Sequence, residues 1–509
     1  MTFFESLLIL LLVAIALLQL ARRLSLPYPT MLAGAGVVVA LVPGAPSFSI
    51  DPATGLALFI APAVIDAAFD FPPGAPRRFV APLVAFAVVA VVLTAVVVAW
   101  IAHSFLGLPL AAGIALGAIV APPDAAAATA VLRRFSIPRN VDAVLKGESL
   151  FNDATALLLF SGALTVLRGG GMGLPVGLRL GFAAPGGLLL GIVCAYLYRP
   201  VSRVVKDTLG GTLLQFVIGY LLWVGAGHLH LSAVLCVIGF AMTLSRNLSS
   251  DDLDARMRVQ SYAVWSSVVF TLNVLAFLLM GMQGKAIVTR MQGAHLRHAL
   301  AFAGVVILVV IVTRLVVVLG YWYLESRWDR PRSTFGEAFF VGWCGMRGFV
   351  TIATAFALPA SFPHRDTVVL AAFSVVLATL VVQGLTLAPL VRLLKLDQTE
   401  EAARELTFAR VAMGNAALDS IADEQGPEAD NLRYRLFLHL QRCMDVEISP
   451  ELERLRSLGM TAVTAERSTL EDLRNEDRIG TDAYLGLQEQ IDWNELTLLR
   501  DADRQIEEI

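Results

Sequence analysis

Charge is the first thing this chain lacks. Only 16% of its 509 residues are Asp, Glu, Lys or Arg, where a soluble domain carries roughly 25%. That is too little charge to coat a soluble globule of this length, and a hydrophobic share of 57% excludes a disordered chain. Cysteine is scarce as well. The four present, Cys194, Cys236, Cys344 and Cys443, show no CxxC or other ligand spacing, which argues against a disulfide scaffold and a zinc site. Three of them lie in apolar stretches, where a thiol behaves as a small hydrophobe. No Walker sequence, EF-hand loop or glycine-rich dinucleotide fingerprint occurs, so no cofactor is expected. The opening MTFFES has no basic leader, and Arg22 and Arg23 follow the first apolar run. That run is read as a retained helix rather than a cleaved signal.

The charges that are present are unevenly shared. Residues 397–509 hold 26 acidic and 12 basic side chains, whereas residues 1–396 hold 16 acidic and 27 basic ones. The chain therefore reads as an apolar, net basic body over 1–396 and an acidic module over 397–509. The basic residues of the body adjoin apolar runs, where a lipid surface accounts for them and nucleic acid is not needed. Runs of spanning length, about 20 residues, begin near Phe3, Pro29, Leu56, Phe79, Leu110, Val144, Leu180, Thr212, Leu231, Val259, Ala299, Phe335 and Thr367. This predicts an all-α polytopic membrane protein of about 13 transmembrane helices. Loops after odd-numbered runs, up to the eleventh, carry 16 Lys and Arg residues and those after even-numbered runs 6. The odd loops are thus expected in the cytoplasm, the N-terminus outside and the acidic module inside. The compact loops suit a prokaryotic inner membrane.

An odd total lets runs one to six and eight to thirteen form two inverted six-helix repeats around a connector. Each repeat is interrupted in its fifth member. Pro122 and Pro123 break GAIVAPPDAAAATAV, and Gly342, Gly345 and Gly348 loosen GWCGMRGFV. Matching interruptions point to the binding site of a secondary transporter, although Gly and Pro also occur in membrane helices for packing alone.

An ionisable side chain inside a membrane helix costs about 2.5–3.5 kcal/mol, so each one is a candidate for function. Asp66, Asp124, Glu148, Asp153, Arg314, Glu337 and Arg347 qualify. Asp124 follows the double proline, where a broken helix frees backbone carbonyls suited to a hard cation. It caps the second half-helix, faces the cation, or does both. In GESLFNDATALLLF, Glu148 and Asn152 share one helix face, and Ser149 and Asp153 share the next. Arg314 is assigned to Glu148 as a structural ion pair, and Arg347 to freed carbonyls or to an acid near the two breaks. This reserves Asp153 and Asp124 for transported ions, since a buried carboxylate holds either a proton or a metal cation and the two compete. Asp66 lines the ion path or serves an interface. Glu337 is read as a helix N-terminal charge favoured by the dipole.

At this point the residues resemble a known family. APPDAAAATAVLRRFSIPRN followed by GESLFNDATALLLF, then GHLHLSAVLCVIGF, WSSVVFTLNVLAFLLMGMQ, GWCGMRGFVTIATAFALP and VVQGLTLAPLVRLL, resemble the NhaP-type branch of sodium/proton exchangers, among the monovalent cation:proton antiporters. They cover most of residues 1–396. The resemblance implies a homodimer, a core domain moving against a dimerisation domain, and crossed, partly unwound helices at runs five and twelve. It implies exchange of Na⁺ (or Li⁺, or K⁺) for H⁺, with Asp153 carrying either ion. Asp124 and Ser149 would line the same site, with Asn152 beside them. Glu148 and Arg314 would form the stabilising pair, and Arg347, with Gly345, would belong to the second crossing helix. Asn at position 152 resembles electroneutral members. One departure stands out: the first break reads Ala121-Pro122-Pro123-Asp124-Ala125, where the family form is Ser-Pro-Thr-Asp-Pro. Pro123 thereby removes a hydroxyl from the site.

Two other function classes fit part of the pattern. Paired acids such as Asp124 and Asp153 can serve an intramembrane aspartyl hydrolase, but a hydrolase has no need of Arg314 or of an inverted pair of broken helices. A cation channel needs a continuously open, lined path. The module from Asp397 onward is helical by the three-and-four spacing of its apolar residues, interrupted at Pro427 and Pro450, and is expected to form a cytoplasmic helical bundle.

Overall fold

A computed structural model of the protein describes residues 3–24, 27–41, 51–69, 71, 75–132, 135–170, 174–205, 208–247, 255–289, 293–327, 333–444 and 450–499. Arg133, Arg134, Lys206, Arg290, Arg330 and Arg332, which enter the loop-charge comparison, lie outside these residues, as does the side chain of Cys443. Among the described residues every regular element is a helix. That is the expected answer to an apolar solvent, because a helix pairs its backbone groups within one segment.

The chain divides into two compact units, Met1–Asp397 and Gln398–Ile509. The first contains α1 (Phe3–Leu24), α2 (Tyr28–Leu41), α3 (Pro52–Phe69), α4 (Ala75–Val84), α5 (Ala90–Leu106), α6 (Leu110–Val120), α7 (Ala125–Leu132) and α8 (Arg139–Thr165). It continues with α9 (Leu174–Val204), α10 (Leu209–His228), α11 (Ala233–Asn247), α12 (Ala255–Thr289), α13 (Ala294–Ser326), α14 (Phe335–Trp343), α15 (Phe349–Phe356) and α16 (Arg365–Leu393). A π-helical turn, Ala85–Val89, joins α4 to α5, and another, Val166–Gly170, prolongs α8. Among the described residues seven stretches are long and apolar enough to cross a membrane: Val80–Leu106, Arg139–Gly169, Gly181–Val204, Gly210–His228, Ser261–Met282, His295–Ser326 and Arg365–Leu393. The fifth and twelfth apolar runs of the sequence each fall on a pair of half-helices, α6 with α7 and α14 with α15.

The helices are enclosed to different degrees, and this places the centre of the unit. α16 is the most enclosed of the long helices and α10 the least. Leu12, Trp100, Leu189, Leu197, Leu308 and Val316 point outward, as lipid-facing side chains do. Helices in hydrocarbon gain little from burying apolar area and associate by close packing instead, so small residues mark their contacts. The tightest seam joins α9 to α11. A Cβ on Gly191 would lie 1.9 Å from the Cys236 carbonyl oxygen, so only glycine fits there.

The second unit consists of α17 (Thr399–Ser420), α18 (Pro427–Met444), α19 (Pro450–Asn475) and α20 (Thr481–Leu498). α17 pairs with α18 and α19 with α20. Val463, Leu470 and Ile491 form the small core of the second pair. Arg467 ties its two helices together by bonding Asp492 at 2.9 Å and Glu495. Those hydrogen bonds hold the guanidinium above the usual arginine range.

The α9–α11 seam gives a stability test. Gly191→Val should lower the melting temperature of the detergent-solubilised protein, by the equivalent of about 1–3 kcal/mol or more, as overpacking does. Gly225→Val on α10, where a new Cβ meets nothing within 4 Å, is the control and should leave the melt close to that of the parent.

Candidate functional site

The site is built where two interrupted helices meet. α6 stops at Val120 and α7 starts at Ala125, because Pro122 and Pro123 carry no amide hydrogen to continue the helix. α14 stops at Trp343 and α15 starts at Phe349, with Cys344–Gly348 unwound between them. The two breaks touch directly. The Asp124 amide donates to the Met346 carbonyl at 2.7 Å. Gly348 allows the approach, since a Cβ there would lie 1.5 Å from Asp124 Oδ2. The Asp124 carboxylate thus lies at the N-terminal ends of both α7 and α15, where the helix dipoles favour negative charge.

A broken helix also leaves carbonyls at its C-terminal end, and in an apolar interior these need donors. Two arginines provide them. Arg347, 1% exposed, donates from Nε to Val120 O at 3.0 Å and from Nη2 to Ala121 O at 3.2 Å. Its Nη1 bonds the Gly345 carbonyl, and its own amide donates to Thr379 Oγ1 at 3.1 Å. Arg314 on α13 does the same for α14. Its Nε reaches Gly342 O at 3.1 Å and its Nη2 reaches Val341 O at 3.0 Å. The same guanidinium meets Glu148 of α8 by two prongs, Nη2 to Oε2 at 3.0 Å and Nη1 to Oε1. Both partners are buried, and a two-pronged geometry is the strong form of this pair. Gly345 makes room for both cations: a Cβ there would lie 2.5 Å from Arg314 Cδ and 2.8 Å from Arg347 Nη1.

Helix α8 brings the remaining candidates. Asn152, fully buried, donates from Nδ2 to Pro123 O at 2.9 Å. Its Oδ1 accepts no hydrogen bond among the described residues. Asp153, also buried, is close enough to Asp124 for the two charges to act on each other. Ser149 is half-buried one turn before Asp153. Asp66 is half-buried on α3, which packs against α8 and α15. Glu337 sits at the start of α14 in a capping box with Thr334: the Thr334 amide donates to Glu337 Oε2 at 2.8 Å and the Glu337 amide to Thr334 Oγ1 at 3.2 Å.

The carbonyls freed by the first break are engaged: Val120, Ala121 and Pro123 each accept a bond from Arg347 or Asn152, which is one of the two partners the sequence allows for Arg347. Burial explains it, because a backbone carbonyl in a dry interior is costly until paired. Hard side-chain oxygens are also carried by α8 and the first break: the carboxylates of Asp124 and Asp153, the Asn152 amide oxygen and the Ser149 hydroxyl. Such a set suits a hard cation, and two neighbouring carboxylates are relieved by a shared proton or cation. Sequence reasoning misses Thr379, which holds the unwound segment, and the role of Gly348. The signal for Thr379 is a hydroxyl in the middle of an apolar run; for Gly348 it is the third glycine of GWCGMRGF.

Comparison with known proteins adds a second line of evidence. Residues 7–393 match the family described as "Sodium/hydrogen exchanger, transmembrane". An uncharacterised Na(+)/H(+) exchanger of Mycobacterium tuberculosis is 29% identical over 514 residues, spanning 95% of this chain and 94% of that protein. The Na(+)/H(+) antiporter NhaH of Halobacillus dabanensis is 29% identical over 408 residues, 76% of this chain and 97% of that one. The solved structure of the sodium proton antiporter MjNhaP1 from Methanocaldococcus jannaschii superimposes with a TM-score of 0.60 at 19% identity, covering 77% of this chain and 98% of its own. That likeness establishes the fold.

Removing one member of the buried ion pair should be costly. Glu148→Gln strips the charge facing Arg314 and should destabilise the protein by about 3–5 kcal/mol. Arg314→Met should cost more, because it also orphans the Val341 and Gly342 carbonyls. Thermal melts of the detergent-solubilised variants check both the loss and its order.

Proposed function

Because the chain belongs to the sodium/hydrogen exchanger family, we propose that it is a secondary antiporter that exchanges Na⁺ for H⁺ across a cell membrane. The observation that carries this reading is Asp153 on α8 within electrostatic range of Asp124, at a crossing of two broken helices whose ends are bonded by arginines. Glu148 has its cation in Arg314. The Asp124–Asp153 pair is the part of the site assigned here to the mobile ion. A proton on Asp153 removes the negative charge that a metal ion needs, so the two ions compete for one place. Exchange follows if the site opens to one side at a time and changes sides only when loaded. Energy then comes from the two ion gradients. The names of the relatives support an exchanger and give no support to the hydrolase or channel readings.

In this reading the body makes thirteen crossings as two inverted repeats, with α6–α7 and α14–α15 as the crossed fifth members. Charge asymmetry among the loops supports an N-terminus outside and the acidic module in the cytoplasm. The working unit is a homodimer. Asn152 holds the first break by its bond to the Pro123 carbonyl and adds no second titrating acid beside Asp153, which suits one-for-one exchange. Asp66 is assigned to the approach to the site.

The test is collapse of an imposed pH gradient in proteoliposomes, titrated separately with Na⁺, Li⁺ and K⁺. The parent protein should respond to Na⁺. Asp153→Asn should reduce the response to that of protein-free vesicles while its melt stays within a few degrees of the parent. A folded Asp153→Asn variant exchanging at the parental rate would remove Asp153 from the role of ion carrier.

A further inference from the structure

Helix α16 carries a polar side chain that the exchange site leaves unused. Gln383 is fully buried, and neither its Nε2 nor its Oε1 has a hydrogen-bond partner among the described residues. Its position relates it to the second break. The Thr379 hydroxyl accepts from the Arg347 amide at 3.1 Å, and the Thr386 hydroxyl accepts from the Trp343 indole N–H at 2.9 Å. Residues 379, 383 and 386 share one face of a helix. Gln383 therefore lies on the face of α16 that carries both contacts, between the one to the Trp343 indole and the one to the Arg347 amide at the unwound segment. Its neighbour Gly384 lies between that segment and α2, since a Cβ there would come 3.6 Å from Met346 Sδ and 2.8 Å from Thr30 Oγ1.

A buried amide without partners opposes folding. Native interiors keep few such groups, and those kept call for an explanation. Leu or Met would fill a similar volume at no polar cost. The two flanking hydroxyls are already engaged, Thr379 donating to Val375 O at 2.8 Å and Thr386 to Val382 O at 2.7 Å. The amide alone on this face has both donor and acceptor capacity to spare. An unwound backbone is the element whose N–H and C=O groups must change partners if the crossing shifts between two arrangements.

We propose that Gln383 is a further positioning residue of the exchange cycle, whose amide takes up hydrogen bonds of the unwound Cys344–Gly348 backbone in the conformation that alternates with this one. The inference rests on the antiport reading above. It makes an unusual pair of demands. Removing the amide should leave the resting structure as stable as before or more so, and should slow the step that changes conformation.

The experiment uses full-length Gln383→Leu and Gln383→Met, the second in case the branched side chain packs poorly. Each is melted in detergent and assayed in proteoliposomes beside the parent, with whichever alkali cation the parent exchanges best. The expected result is a melting temperature equal to or above the parental one, a maximal rate at least about tenfold lower, and a half-saturating cation concentration within about twofold. A lower melting temperature in both variants overturns the proposal, because the amide then has a resident partner, internal water included. A parental maximal rate overturns it too, as does a shift confined to half-saturation, which would mean that the amide touches the ion. If the parent exchanges no alkali cation for protons, the antiport reading falls and takes this proposal with it. A lower melt overturns the role of Gln383 alone.

Discussion

The unpaired carbonyl at the end of a broken helix is the constraint on which this architecture turns. In water such a group is solvated at little cost; among apolar helices it must find a donor within the protein. Here α6 and α14 each end in the middle of the body, and each end is met by a buried guanidinium, Arg347 for the first and Arg314 for the second. The complementary ends, the starts of α7 and α15, converge on Asp124. Positive side chains at the negative ends and a carboxylate at the positive ends make the crossing electrostatically self-consistent. Glycine at 345 and 348 is the steric condition for it, because both places are filled by neighbouring charged groups.

Partner placement then separates side chains that are chemically alike. Glu148 and Asp153 lie on one helix, little more than a turn apart. Glu148 is gripped by Arg314, a residue also bonded to the end of α14, so this carboxylate belongs to the framework linking α8, α13 and α14. Asp153 instead lies within electrostatic range of Asp124. In the proposed antiport cycle that difference divides labour: one acid is permanently neutralised by the protein, and the other is neutralised by whichever ion arrives.

Much of this is legible in the order of the amino acids. Charges in apolar runs stand out because each is expensive, and opposite signs point to Glu148 and Arg314, whose side chains do meet. Pro122 and Pro123 announce one interruption and the glycines of GWCGMRGF the other. The illegible part consists of contacts to backbone. A carbonyl has no identity in a sequence, so residue order leaves Arg347 between freed carbonyls and an acid, and it hides the engagement of Val120, Ala121 and Pro123. Neutral polar residues are also easily overlooked. Thr379 and Gln383 cost little on a hydropathy reading, and their meaning depends on which segment lies opposite them. Tight seams depend on three-dimensional register in the same way, and nothing about Gly191 in sequence distinguishes it from glycines facing open space.

The seam between α9 and α11 bears on a different requirement. At Gly191 the two backbones come so near that not even a methyl group fits, and a water molecule, which occupies about 30 Å³ in the liquid, is bulkier still. In the proposed antiport cycle, coupling between two gradients is only as good as its resistance to leakage, and the close approach at Gly191 leaves no room for a file of solvent at that point.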